Sequence, residues 1–237
     1  MMMKPGDVFL GVTLAALAGY VDTAGFVGLF GLFTAHVTGN FVLIGTELGH
    51  PGEGVLLLKF LAFPSFAAGV IGARLLANAC ERRGVNAIRP LLLSQLVLLT
   101  GFTAAAIVGS PPLVPDAPIV LAAGMLGAAA MGIHNAAGKL VFARIAPTTV
   151  MTGNVTELLI NVTDCLTGHG TPAVREKLAK FGWPMVAFAL GCIAGGFGFR
   201  SAGFWCLLLP VATLAVLTLL TWPAPAASVP PTPKQAA

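Results

Sequence analysis

Apolar residues along this chain come in eight long runs, at about residues 8–30, 34–49, 55–79, 88–108, 117–143, 148–166, 174–199 and 203–222, separated by short stretches rich in glycine, proline and charge. Unbroken runs of this kind predict helices that cross a bilayer rather than half-buried strands. Two of the runs break the pattern. The second, TAHVTGNFVLIGTELG, would rise only about 24 Å as a helix, short of a hydrocarbon core of roughly 30 Å. The sixth is long enough but carries Thr152, Asn154, Glu157, Asn161 and Asp164. Both are predicted to be broken or re-entrant elements, with the other six runs crossing.

The two irregular runs also mark a repeat. GYVDTA at residues 19–24 matches GIHNAA at 132–137, and TAHVTGN at 34–40 matches TTVMTGN at 148–154, with a one-residue difference in the spacer. Further on, Ala68 and Gly72 are read as answering Gly191 and Gly195, small residues four apart that let helices approach closely. The same order of features in both halves predicts a first transmembrane repeat over residues 1–109, a connecting loop over 110–116, a second repeat over 117–222, and a disordered Pro/Ala-rich tail over 223–237.

Composition removes the soluble alternatives. With 57% hydrophobic residues, 9% charged residues and a mean hydropathy of +0.90, the chain has too few charges to cover a water-soluble globule. The formal charge of +4 would otherwise suggest nucleic acid, but the basic residues sit in the short connections, where they set orientation. No nucleic-acid partner is expected. If the second and sixth runs do not cross and the N-terminus is inside, only Lys59 and Arg200 of the thirteen Lys and Arg fall outside. If all eight cross, the basic residues divide almost evenly. The first topology has three crossings per half, so the second half starts on the opposite face and the repeats are inverted, with both termini cytoplasmic. The expected fold is therefore all-α, a polytopic bundle of two inverted repeats, each with three spans and one broken segment.

Polar residues inside such a chain are the candidates for chemistry. Asp22 lies in the middle of the first run, and a carboxylate there needs a partner, a proton or water. Gly19 and Gly25 flank it and are read as loosening the helix at that depth. Its counterpart by the repeat is Asn135, beside His134. The two TGN turns would line a shared midplane site, using Thr34, His36, Thr38 and Asn40 from one half and Thr148, Thr149, Thr152 and Asn154 from the other. His36 has Val150 in the matching place, which excludes a symmetric histidine pair and leaves His36 as a candidate proton relay, and Glu157 faces either the cavity or the interface. His50 and His169 fall in connections and are expected to be solvated. A structural reading stays open for each of these groups: Asp22 and Asn135 bonding neighbouring helices, the turns acting as hinges that seal a crossing. Hydrolase and phosphate-loop signatures are missing, and the four cysteines show no paired spacing, so no enzyme activity, metal site or cofactor is expected.

The stretches GYVDTAGFVGLFGLFTAHVTGN and GIHNAAGKLVFARIAPTTVMTGN resemble the YoaK-type family of bacterial membrane proteins, whose function is unknown. The resemblance covers nearly the whole chain. It implies a compact multi-pass protein of the bacterial inner membrane, of a kind often described as a permease; it supplies no catalytic or binding residue. Residues and resemblance together lead to the expectation of a secondary transporter or permease for a small polar or ionic solute, with proton coupling through Asp22 and His36 as an option. Its partners would be the bilayer, the solute or ion, and further copies of itself. The rival expectation is a non-transporting membrane scaffold or regulatory subunit.

Overall fold

The computed structural model describes residues 5–50, 56–110, 114–149 and 151–221. The expected tail at 223–237 lies outside the described residues, as does part of the connecting loop at 110–116. Every regular element among the described residues is helical: α1 (Pro5–Gly28), α2 (Val37–Gly49), α3 (Leu56–Arg82), α4 (Ile88–Val108), α5 (Pro118–Leu140), α6 (Met151–Leu166), α7 (Pro172–Ala202) and α8 (Leu208–Leu220). A 3-10 turn, Gly203–Leu207, links the last two. Each helix falls on one of the eight apolar runs.

Five stretches are long and apolar enough to cross a membrane: α1, α3, α4, α5, and the stretch Pro172–Leu220. The last is divided at Gly203, whose φ of +54° ends α7 and lets the chain double back into α8. With 13 and 16 residues, α2 and α6 are too short to qualify and rise about 20 and 24 Å. Hydrophobic side chains are exposed along whole faces, among them Phe60, Phe63, Ile71 and Leu75 on α3 and Trp183, Leu190, Ile193 and Phe197 on α7. Faces like these are at home against lipid and costly against water.

Two crossings hold the centre together. The principal partner of α1 is α7, and that of α5 is α3, so the first helix of each half packs on the third helix of the other. Glycine sets both distances. A Cβ at Gly191 would fall on the Ala16 carbonyl and one at Gly195 on the Tyr20 carbonyl, while one at Gly19 would strike Phe188 and Cys192. In the second crossing a Cβ at Gly69 would fall on the Ala129 carbonyl and one at Gly132 on the Phe66 carbonyl. Backbones this close gain dispersion contacts, the main attraction left between helices once lipid replaces water.

These contacts correct two expectations. Ala68 and Gly72 are exposed, and a Cβ at Gly72 would meet nothing; Gly69 and Ala73, one position along, are the buried pair. Gly69 is thus the residue that does at one crossing what Gly191 does at the other. The helix around Asp22 is also not loosened. α1 runs unbroken from Pro5 to Gly28, Gly19 serves the approach of α7, and Gly25 makes room for Thr34. Across the halves, Gly11 near the start of α1 lies against Ile145, beyond the end of α5. Leu32, beyond the end of α1, lies against Gly124 near the start of α5.

Candidate functional site

Between α1 and α2 the chain leaves helical geometry for eight residues, and the main-chain donors of Leu32, Phe33, Thr34 and Ala35 each have a partner within the fold. α1 closes with Gly31 N–H on the Phe26 carbonyl, and Phe30 and Gly31 take positive φ as the chain turns back. An aromatic residue holds that conformation only where its surroundings enforce it. Leu32 N–H then donates to the Leu29 carbonyl. Phe33 is gripped on both sides by one side chain: its N–H donates to Asn40 Oδ1 at 2.9 Å and its carbonyl accepts from Asn40 Nδ2 at 2.8 Å. Thr34 and Ala35 give their N–H groups to Asp22 Oδ1, each at 2.7 Å, and the Thr34 hydroxyl adds a third bond at 3.1 Å. Irregular backbone at membrane depth survives only when its polar groups are met in this way.

The other oxygen of Asp22 holds His36. Oδ2 lies 2.6 Å from His36 Nδ1, with Asp22 buried and the His36 side chain 35% exposed. A carboxylate only accepts, so Nδ1 carries a proton and Nε2 is the position left to exchange one. Phe188 packs edge-on against the imidazole from α7, with ring centroids 5.6 Å apart.

The second turn repeats the scheme with different atoms. Asn154 Nδ2 donates to the Pro147 carbonyl at 2.6 Å, seven residues back as Asn40 is from Phe33; proline has no N–H, so half of the grip is gone. Asn135 stands where the first half has Asp22. Its Oδ1 accepts from the Thr149 hydroxyl at 2.8 Å, and Thr148 and Thr149 form no main-chain N–H bond among the described residues. A buried chain steadies this side from α4: Gln95 Nε2 lies 3.1 Å from His134 Nδ1, and His134 Nε2 lies 2.8 Å from the Thr148 hydroxyl. Because the glutamine amide donates, Nδ1 accepts and Nε2–H donates, which fixes a neutral imidazole.

The two turns meet. The His36 ring also lies beside the backbone of Thr149, which brings the first turn up to the second. On the far side of Thr149 opens a cavity of about 280 Å³, lined among others by Asn135, Lys139, Thr148, Thr149 and Lys180.

Of the residues read from the sequence, the fold gathers Asp22, Thr34, His36, His134, Asn135, Thr148 and Thr149 into one connected cluster. Asn40 and Asn154 are buried, with amide groups bound to their own turns rather than offered outward. Thr38, Thr152 and Glu157 are taken away from the cluster: all three lie on exposed faces of α2 and α6, because a helix begun at residue 37 or 151 turns these positions outward. His50 and His169 are exposed, as expected. Sequence reading passed over Gln95, Lys139 and Lys180. Gln95 had a signal, being the one amide in the apolar run at 88–108. The two lysines had none, since Lys139 is ordinary helix-end positive charge and Lys180 belongs to the basic stretch in the first turns of α7.

The sequence matches the family described as protein of unknown function DUF1275 over residues 10–220. The chain belongs to the DUF1275 family. It is also similar to the UPF0700 transmembrane protein YoaK of Bacillus subtilis, 29% identical over 152 residues. That similarity takes in 63% of this chain and 64% of the relative, just under two thirds of its length. No solved structure matches significantly. For this DUF1275 member the unequal grip of the two asparagines gives a direct expectation. Asn40→Ala strips partners from both a donor and an acceptor of Phe33, costing about 2–4 kcal/mol, whereas Asn154→Ala frees one carbonyl at about 1–2 kcal/mol. Thermal unfolding in detergent checks the order; a larger loss for Asn154→Ala would contradict the assigned bonds.

Proposed function

We propose that this protein is a secondary transporter that carries a small polar or ionic solute across the bacterial inner membrane, with both termini cytoplasmic. In this reading the chain consists of two inverted halves, and the solute passes where their broken segments meet. The pairings of Gly11 with Ile145 and of Leu32 with Gly124 support inversion, because they run in opposite senses along α1 and α5. The reciprocal crossings at Gly191 and Gly69 support it too.

The observation that carries the proposal is the junction itself. Two interrupted segments, too short to span, converge with His36 of one turn beside the backbone of Thr149 of the other, and a cavity borders Thr149. Converging discontinuous helices at the interface of two repeats are how many transporters hold a solute away from lipid. Rocking one half against the other would expose the junction to each side in turn. Asp22 serves in this scheme as the fixed partner that aims His36, since all its acceptor bonds are made within the protein. His36 is then the group that takes up and releases a proton.

That same full engagement of Asp22 favours the rival reading, a scaffold in which the cluster only ties helices together. Flux separates the two. Purified protein in liposomes should move members of a broad solute panel, faster with an imposed pH gradient than without one, and Asp22→Asn should remove the dependence on the gradient. Absence of flux for every solute, with protein shown to be folded and inserted, leaves the scaffold.

A further inference from the structure

The first half shows what its turn was built to hold. Two adjacent main-chain N–H groups and a threonine hydroxyl converge on one carboxylate oxygen of Asp22. In the second half the corresponding residue is Asn135, whose single carbonyl oxygen is taken by the Thr149 hydroxyl. The N–H groups of Thr148 and Thr149 have no bond among the described residues, and no acidic residue lines the cavity that these two threonines border.

What stands there is the cavity of about 280 Å³. Its polar lining is rich in donors and cations. Asn135 Nδ2 makes no hydrogen bond to the described residues, so both its N–H groups are available as donors. Lys139, in the last turn of α5, and Lys180, on α7 with its Nζ 5.7 Å from the centre of the Phe181 ring, bring two cations. Among the lining residues none is acidic. The crossings place Phe26 and Leu58 at the positions in the other half that correspond to Lys139 and Lys180, and Lys59, which there answers Phe181, is paired with Glu47 at 3.7 Å, so the pair of lysines without an acidic residue in the lining belongs to this end. Donors and cations without a competing carboxylate select an anion. At the ~30 Å³ each water occupies in liquid, the volume holds about nine waters, which sets the scale of the occupant.

We infer that this cavity binds a small free oxyanion, a carboxylate being the best match, which takes before Thr148 and Thr149 the place that the Asp22 side chain takes before Thr34 and Ala35. The inference rests on the transport reading for what binding leads to, and gives that reading its substrate class. Asn135 is the specificity-determining residue, because an aspartate there would fill its own turn and repel the ligand.

The test is binding by the purified full chain, read by titration calorimetry in detergent with formate, acetate and nitrate as probes and methylammonium and glycerol as controls. Saturable heats are expected for the anions only. Asn135→Asp should abolish them and raise the unfolding temperature, and the double variant Lys139→Gln, Lys180→Gln should weaken them at least tenfold while the protein keeps its unfolding midpoint. The inference is overturned if no anion binds the wild type, if the controls bind as well, or if the double variant binds as the wild type does. A wild-type response lost in phosphatidylglycerol nanodiscs but kept in phosphatidylcholine would reassign the cavity to a lipid headgroup and also overturn it. Failure of the transport reading looks different: anions bind with full affinity and nothing crosses. Flux of a cation or neutral solute without anion binding would sink the substrate class and leave transport standing.

Discussion

Asp22→Ala is expected to destabilise the purified protein by about 3 kcal/mol or more, among the largest losses for any truncation of a polar side chain in the first half. The size follows from what the carboxylate holds. Removing it strips the acceptor from the N–H groups of Thr34 and Ala35, from the Thr34 hydroxyl and from His36 Nδ1 at once. Thr34 is fully buried, so water does not replace the lost partner, and each buried donor left unpaired costs about 1–3 kcal/mol. Asp22→Asn behaves differently. Its Oδ1 still accepts from the two amides, so the turn is retained with a much smaller loss. The amide nitrogen, though, now donates towards His36 Nδ1, and the imidazole must move its proton to Nε2. Thermal unfolding in detergent measures the first effect, and nitrogen NMR of labelled histidine measures the second. Equal destabilisation by Ala and Asn would show that the bonds to the turn contribute little, and an unchanged His36 tautomer in Asp22→Asn would show that the carboxylate does not set it.

The outline of this fold was open to sequence reading, and the reason is specific to membranes. Backbone in lipid must bond to itself, so a long apolar run has almost no alternative to helix, and the runs at 88–108 and 203–222 locate α4 and the 3-10 turn with α8 almost to the residue. The broken segments were legible for the same reason in reverse: TAHVTGN and TTVMTGN are too polar and their runs too short or too mixed for an ordinary span. Asp22, Asn135 and the threonines of both turns came with them, because a polar group at depth must answer to something nearby.

What stayed hidden is which way each residue faces. In a soluble helix the polar face marks the outside, but here the outward positions Phe60, Ile71 and Leu75 are as apolar as the buried ones, so periodicity loses its direction. Thr38 and Thr152 were placed inside on motif alone and lie outside. The roles of Asn40 and Asn154 were equally invisible, since a bond to residue i−7 exists only once the turn has formed. Lys139 and Lys180 come together from α5 and α7 across the whole second turn, a juxtaposition no local pattern carries.

The alternative registers of the small residues on α3 differ by a single position, and that difference supports a test with a large effect. Gly69→Val is expected to cost about 3 kcal/mol or more, and Gly72→Val to lie within about 0.5 kcal/mol of wild type. The two glycines are three residues apart on one helix, so they share its propensity and differ only in what they face. At Gly69 even the first added carbon meets the carbonyl carbon and oxygen of Ala129, main-chain atoms that cannot rotate aside, so α3 and α5 must separate. At Gly72 an added Cβ meets no packed neighbour within 4 Å among the described residues. Separation of α3 from α5 reaches further than the local clash, because α5 carries His134 and Asn135 and thereby the placement of Thr148 and Thr149. Gly191→Val should match Gly69→Val, its side chain driving α7 off the Ala16 carbonyl and moving Phe188 from the His36 ring. Folded yield by size-exclusion chromatography, followed by thermal unfolding of what remains, ranks the three variants. Equal damage from Gly72→Val and Gly69→Val would restore the register with Ala68 and Gly72 inside, and with it a different face of α3 turned towards α5.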